Sequence, residues 1–167
     1  KRQKKNVVID IVIPVYGQPE FTRQSVAHVL KSAEAAGVPY RIIVVDDQSP
    51  DQAAMADLYG QLQLVKNVDV YQMSQNSGFP ATANYGAKIG RGKYLLFVNS
   101  DCFLEEEAVS EIIQAFESDP LAGVVGGKLL FHPDNKVSDN NPRMAWIKAV
   151  DDSHGIIQHA GIAFNDN

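Results

Sequence analysis

The sequence is poor in cysteine, in positive charge and in long apolar runs, and each shortage removes a class of protein. A single cysteine, Cys102, in 167 residues leaves no internal disulfide and fits a reducing compartment. No apolar stretch approaches the roughly 20 residues that span a bilayer, and no charged-then-apolar leader is present. The expectation is therefore a cytoplasmic domain without a transmembrane segment. Fifteen basic against twenty acidic side chains, a net charge of −5, argue against a nucleic-acid surface. The one basic cluster, Lys1, Arg2, Lys4 and Lys5, reads as a solvated tail over residues 1–6, whose alternative use is peripheral contact with anionic lipid. The dinucleotide fingerprint G-x-G-x-x-G is also missing, which removes a nicotinamide oxidoreductase. What remains is 45% hydrophobic, enough to bury one core, so residues 1–167 are expected to form a single domain.

The apolar residues alternate between two periods. Val7 to Val15 is nearly continuous and β-branched, interrupted at Asp10, as in a strand buried on both faces. Thr22, Val26, Val29, Leu30 and Ala33 then recur at helical spacing up to Gly37 and Pro39. Arg41 to Asp46 predicts a second buried strand. Ser49-Pro50-Asp51-Gln52 after it predicts a helix capped by Ser49 that runs to about Leu64. Val68 to Gln72 predicts a third strand, Pro80 to Gly90 a helix of small residues, and Tyr94 to Asn99 a fourth strand. Val109, Ile112, Ile113 and Phe116 stripe a last helix that stops before Pro120. Gly123–Phe131 and Ile156–Phe164 read as later strands, separated by a polar loop over residues 132–153. The pattern implies an α/β fold, a three-layer αβα sandwich on a mostly parallel, Rossmann-like sheet.

Ligands of such sheets bind beyond the carboxyl ends of the strands. Three of those ends are polar: Pro14-Val15-Tyr16-Gly17-Gln18, Asp46-Asp47-Gln48-Ser49 and Asn99-Ser100-Asp101. An acid just past a strand can accept hydrogen bonds from a base or ribose. An Asn-x-Asp turn can offer a carboxylate to a hard cation, and magnesium needs only one or two carboxylates when phosphates complete its shell. Taken singly, each is as readily a turn or cap residue. Their recurrence on successive strands of one sheet is what gives them weight.

These residues resemble the family 2 glycosyltransferases, inverting enzymes of the GT-A fold. The resemblance runs through VIPVYGQPE at 12–20, VVDDQSPD at 44–51, NSGFPATANYGAKIGRGKYLLFVNSD at 76–101 and GIIQHAGIAF at 155–164. The long block is the most specific and is similar to the rhamnosyltransferase-like branch, where the metal motif reads Asn-x-Asp. The resemblance implies that Pro14, Val15 and Tyr16 line a nucleotide pocket and that Asp47, with Asp46, bonds the base or ribose. Asn76, Gly78 and Phe79 would close over the nucleotide with Asn84 behind them. Asn99 and Asp101 would hold a sugar diphosphate, Asp101 through Mn²⁺ or Mg²⁺. The donor implied is a UDP or dTDP sugar, and the acceptor a glycan, lipid or protein that the sequence does not specify.

The sequence departs from this family at Gly17, where many members carry Asn, and at the end of the chain. The family's general base lies in a later acceptor-binding segment, beyond Asn167, and Asp151 and Asp152 are the only local substitutes. Loss of a general base typically costs about 10²–10⁴ in rate. The expectation is thus a truncated, donor-binding portion that is a poor catalyst, with a non-catalytic nucleotide-sugar or partner-binding module as the alternative. A receiver domain would carry its acidic pair after the first strand, not the second, and a nucleotidyltransferase would replace Gly17-Gln18-Pro19-Glu20 by a glycine- and basic-rich loop. His132, His154 and His159 match no zinc spacing. Glu105, Glu106 and Glu107 read as first-turn acids. Trp146 and Met144 read as anchors of the polar loop, and Cys102 as a packed, reduced thiol.

Overall fold

A computed structural model describes residues 7–130 and 157–159. The chain divides into two compact units, Lys1–Ser110 and Glu111–Asn167. In the first unit the apolar runs become strands β1 (Ile9–Val15), β2 (Tyr40–Asp46), β3 (Val68–Gln72) and β4 (Tyr94–Phe97). They form one parallel sheet in the order β3-β2-β1-β4. Helices α1 (Pro19–Ala35), α2 (Gln52–Leu62) and α3 (Phe79–Ile89) connect them, and α4 (Ala108–Ser118) begins at the end of the unit. The second unit contains an antiparallel pair of short strands, β5 (Leu129–Leu130) and β6 (Ile157–His159). Residues 123–128, expected to belong to the first of these strands, are not strand, and apart from β5 and β6 themselves the remainder of the stretches expected over 123–131 and 156–164 lies outside the described residues. The polar loop expected over 132–153, with Trp146, Met144, Asp151 and Asp152, lies outside the described residues.

Right-handed crossovers decide which helix covers which face. Two successive steps in one direction, β1 to β2 to β3, put α1 and α2 on one side, where they touch each other. The return step from β3 to β4 passes behind β1 and puts α3 on the other. The packing agrees: α3 contacts β1 and β2, and Gly86 sits directly over Val12 and Val45. Every residue of β1 is buried, as are Ile42 to Asp46 of β2. Each fully buried Ile or Val contributes roughly 1.5–3 kcal/mol relative to leaving it exposed.

Asp10, which interrupts the first apolar run, is buried and answers to Arg41 on the neighbouring strand, Oδ1 to Nε at 2.9 Å. Its other oxygen accepts the backbone N–H groups of Arg91 and Gly92. Arg41 in turn donates to the Ile89 carbonyl at 2.6 Å. A buried charge needs such partners. Here they tie the α3–β4 connection to the amino end of the sheet and leave the carboxyl end for another use.

One expected cap is corrected. Ser49 does not start α2; Asp51 does, its side chain accepting the Ala54 N–H at 3.1 Å. The Ser49 hydroxyl is already committed elsewhere, to the carboxylate of Asp46.

Candidate functional site

The strand order reverses between β2 and β4 on either side of β1, and a crevice opens above such a switch point. It is a cleft of about 280 Å³. The end of β1 contributes Pro14, Val15 and Tyr16, with Gln18 from the turn into α1. Asp47 comes from the end of β2, Phe79 from the start of α3, and Asn99, Ser100 and Asp101 from the turn after β4. Tyr16 and Phe79 are each about half exposed, unusual for rings beside a buried sheet, and both border the cleft.

The two adjacent acids at the end of β2, both buried, take different partners. Asp46 is fully buried. It accepts from the backbone N–H of Ser49 at 3.1 Å and from Gln72 Nε2 at 2.9 Å, and it also takes the Ser49 hydroxyl proton donor. Ser49 Oγ then accepts the Gly17 N–H at 2.7 Å. Asp46 therefore braces the turn after β1 from behind and does not border the cleft, contrary to its expected place beside the base or ribose. Asp47 does border it, while Ser77 N and Gly78 N each donate to its carboxylate at 2.8 Å. Gly78 holds φ 82°, ψ 161°, a conformation closed to residues with a Cβ, and so lets the chain present both amides to one carboxylate before α3 begins. Asp47 thus shapes the loop that delivers Phe79 to the cleft.

Asn99 starts a turn: Cys102 N donates to the Asn99 carbonyl at 3.0 Å, which leaves Ser100 and Asp101 at its exposed tip. Burial first, and the Asp101 charge second, push the Cys102 thiol up, so it stays protonated and unreactive at neutral pH. Asp101 is exposed. Among the described residues no three His, Cys, Asp or Glu side chains converge on a metal-sized site. The donor set is instead one carboxylate, Asp101, with Asn99 beside it on the cleft wall. Such a set fits a hard divalent cation whose remaining ligands are phosphate oxygens and water, and fits no closed zinc site.

Of the other expected residues, Gly78 caps α3 behind the cleft and Asn76 lies outside its lining. Asn84 borders a second, mostly apolar cleft of about 320 Å³ with Phe79, Pro80, Ala83 and Phe97. Gln18 and Ser100 were not among the expected residues. Gln18 carried no signal, because the residue before a proline is ordinarily extended, whereas its φ here is 52°. Ser100 carried none beyond its place inside Asn-x-Asp.

A Rossmann-like parallel sheet with an acidic, aromatic-flanked cleft at its switch point defines an open α/β protein with a crevice where such sheets bind their ligands. The sequence narrows that class. The family model "Glycosyl transferase family 2" matches residues 10–158, and the chain belongs to that family. It is 38% identical over 106 residues to a poly(ribitol-phosphate) beta-glucosyltransferase of Bacillus spizizenii, covering 60% of this chain and 16% of that protein. It is 26% identical over 132 residues to a dolichyl-phosphate beta-glucosyltransferase of Dictyostelium discoideum, covering 74% of this chain and 40% of that protein. The chain therefore spans less than half the length of either relative. Among solved structures, the fold matches S. aureus TarS 1-349 with a TM-score of 0.57 at 23% identity, covering 67% of this chain and 33% of that one. It also matches the mannosyltransferase PcManGT of Pyrobaculum calidifontis, solved with GDP-Man and Mn2+, with a TM-score of 0.60 at 12% identity, covering 72% and 35%. The GT-A architecture is thus shared across wide sequence distance. No helix among the described residues is long and apolar enough to cross a membrane.

Proposed function

We infer that the cleft binds the nucleoside diphosphate of a sugar donor and that the protein to which this sequence belongs transfers the sugar with inversion. The observation that carries the reading is the convergence of Tyr16, Asp47, Phe79 and Asp101, from four separate chain segments, on one cleft at the switch point. Family membership supplies the reaction class. TarS solved with UDP and with UDP-GlcNAc lends support to a nucleotide-sugar donor.

The residues divide the work by chemistry. Tyr16 and Phe79 offer ring faces to a base. Asp47 can only accept, and two of its lone pairs already hold Ser77 and Gly78, so a base held there must bring an N–H. Uracil and thymine bring one at N3, which is compatible with the UDP or dTDP donor that the family resemblance implies. Asn99 and Asp101 face the diphosphate. A Mn²⁺ or Mg²⁺ ion held by Asp101 would neutralise charge on the leaving diphosphate. The rhamnosyltransferase-like branch rests on Asn99-x-Asp101 and the long block at 76–101. A cytoplasmic donor pool would supply the substrate.

Calorimetric titration with UDP, dTDP, CDP and ADP in Mn²⁺ tests the base assignment. UDP or dTDP is expected to bind at least tenfold more tightly than CDP and ADP. Equal affinities, or no binding by folded protein, contradict it.

A further inference from the structure

We propose that Ser25 is a positioning residue for Asp101, acting through the Asn99 carbonyl as the first contact of a clamp along one face of α1. The proposal rests on the reading of Asp101 as the carboxylate on the metal side of the donor.

The observation is where α1 spends its polar side chains. A buried Ser or Thr inside a helix ordinarily returns its hydroxyl to the carbonyl four residues back. Thr22 does this, Oγ1 to the Gln18 carbonyl at 3.1 Å, and so does Thr82, to the Gly78 carbonyl at 3.1 Å. Ser25 and Ser32, both wholly buried, do not. Ser25 Oγ donates across to the Asn99 carbonyl at 3.2 Å, and Ser32 Oγ accepts the Val109 N–H at 3.1 Å. Between them His28 Nδ1 meets the Leu104 carbonyl at 3.1 Å, which requires the proton on Nδ1, and its ring lies 5.3 Å from that of Phe103. Lys31 Nζ pairs with Glu106 at 2.7 Å. Positions 25, 28 and 32 share one helical face, and their partners at 99, 104 and 109 advance in the same direction. The stretch from Asn99 to Val109 is thereby laid along α1 at both ends and in the middle.

The Ser25 contact differs from the others in what it holds. The Asn99 carbonyl is the acceptor of the turn that places Asp101 at its tip, with Cys102 N on one lone pair and Ser25 Oγ on the other. Asp101 makes no hydrogen bond of its own to a described residue, so its position follows from that turn. Removing the Ser25 hydroxyl leaves the turn closed by Cys102 N alone and free to rock relative to the sheet, while Tyr16, Asp47 and Phe79 keep their supports. The part of binding routed through Asp101 should weaken and the rest should not.

The test compares Ser25→Ala, Ser32→Ala and Asp101→Ala in the 167-residue chain, titrated with UDP and dTDP in Mn²⁺ and again in chelator. Ser25→Ala is expected to weaken binding in Mn²⁺ about three- to tenfold, the weight of one net hydrogen bond, and to leave binding in chelator unchanged. Ser32→Ala, which removes a buried hydroxyl from the same helix but touches only Val109, should lose stability without that shift. Ser25→Thr, which keeps a hydroxyl, should restore binding in Mn²⁺ toward the native value, and Ser25→Cys, which keeps only a weak donor, should move in the same direction as Ser25→Ala and serves where that variant does not fold. Unchanged affinity in Mn²⁺, an equal loss in chelator, or the same loss in Ser32→Ala overturns the proposal. If Asp101→Ala abolishes the metal dependence while Ser25→Ala leaves it intact, the clamp alone is wrong. If Asp101→Ala keeps the metal dependence, the donor-site reading falls and the proposal falls with it.

Discussion

Replacing Gly86 by alanine should destabilise the protein, although alanine is the better helix former. A Cβ at that position would overlap Val12 Cγ1 and meet Val12 Cγ2 at 3.2 Å and Val45 Cγ2 at 3.3 Å. Val12 and Val45 are both fully buried in the central strands, so neither can swing away. Forcing a methyl into such a contact costs about 1–3 kcal/mol. The substitution gains about 0.8–1.0 kcal/mol of intrinsic helix propensity. Gly60 in α2 separates the two effects, because a Cβ there meets nothing within 4 Å. Gly60→Ala should therefore stabilise by up to about 1 kcal/mol, and Gly86→Ala should lie about 1–3 kcal/mol below it. Urea unfolding of both variants, compared at the midpoint with an unchanged slope, reads the difference. Equal stabilisation by the two substitutions would refute the close approach of α3 to the sheet, and with it the placement of Phe79 at the cleft.

Asp47→Asn keeps the size of the side chain but offers one acceptor to the two N–H groups of Ser77 and Gly78 and turns an N–H₂ toward one of them. It should cost about 1.5–3 kcal/mol in unfolding free energy and weaken nucleotide binding with it. Asp10→Ala strips the partner from Arg41 and from the amides of Arg91 and Gly92 and should cost about 3–5 kcal/mol, measured by urea unfolding. Tyr59 carries a buried hydroxyl that bonds no described group, although burial, with the nearby Asp46 charge, pushes it above its ordinary 10.0. Ionisation is thus easier in the unfolded chain, so stability is intact below about pH 10 and falls as pH rises past it. Tyr59→Phe should be neutral or stabilising at pH 7 and should flatten that alkaline fall, read by unfolding midpoints at pH 8 to 11.

The parallel sheet was legible because its central strands β1 and β2 are buried on both faces and read as nearly unbroken β-branched runs, with β2 and β3 matched to within a residue. Boundaries failed where side chains did two jobs. Ser49-Pro50-Asp51 offers two good caps, and periodicity cannot tell that the first hydroxyl is spent on Asp46, so the cap passes to Asp51. Asp46 and Asp47 are chemically identical, buried neighbours; only the three-dimensional partners, Gln72 and Ser49 against Ser77 and Gly78, separate their roles. Asp10 looked like a break in a strand because its partner Arg41 lies 31 residues away. Ser25 gave no signal at all, since a serine on a helix is ordinary until its acceptor is known.

The most direct test of the donor site is titration of UDP and dTDP into the native chain and into Asp101→Ala, each with Mn²⁺ and with chelator. The structure predicts that Mn²⁺ tightens binding to the native chain by at least tenfold and that Asp101→Ala, still folded, binds equally weakly in both conditions. Binding by the native chain that ignores the metal, or a metal effect that survives Asp101→Ala, would contradict it.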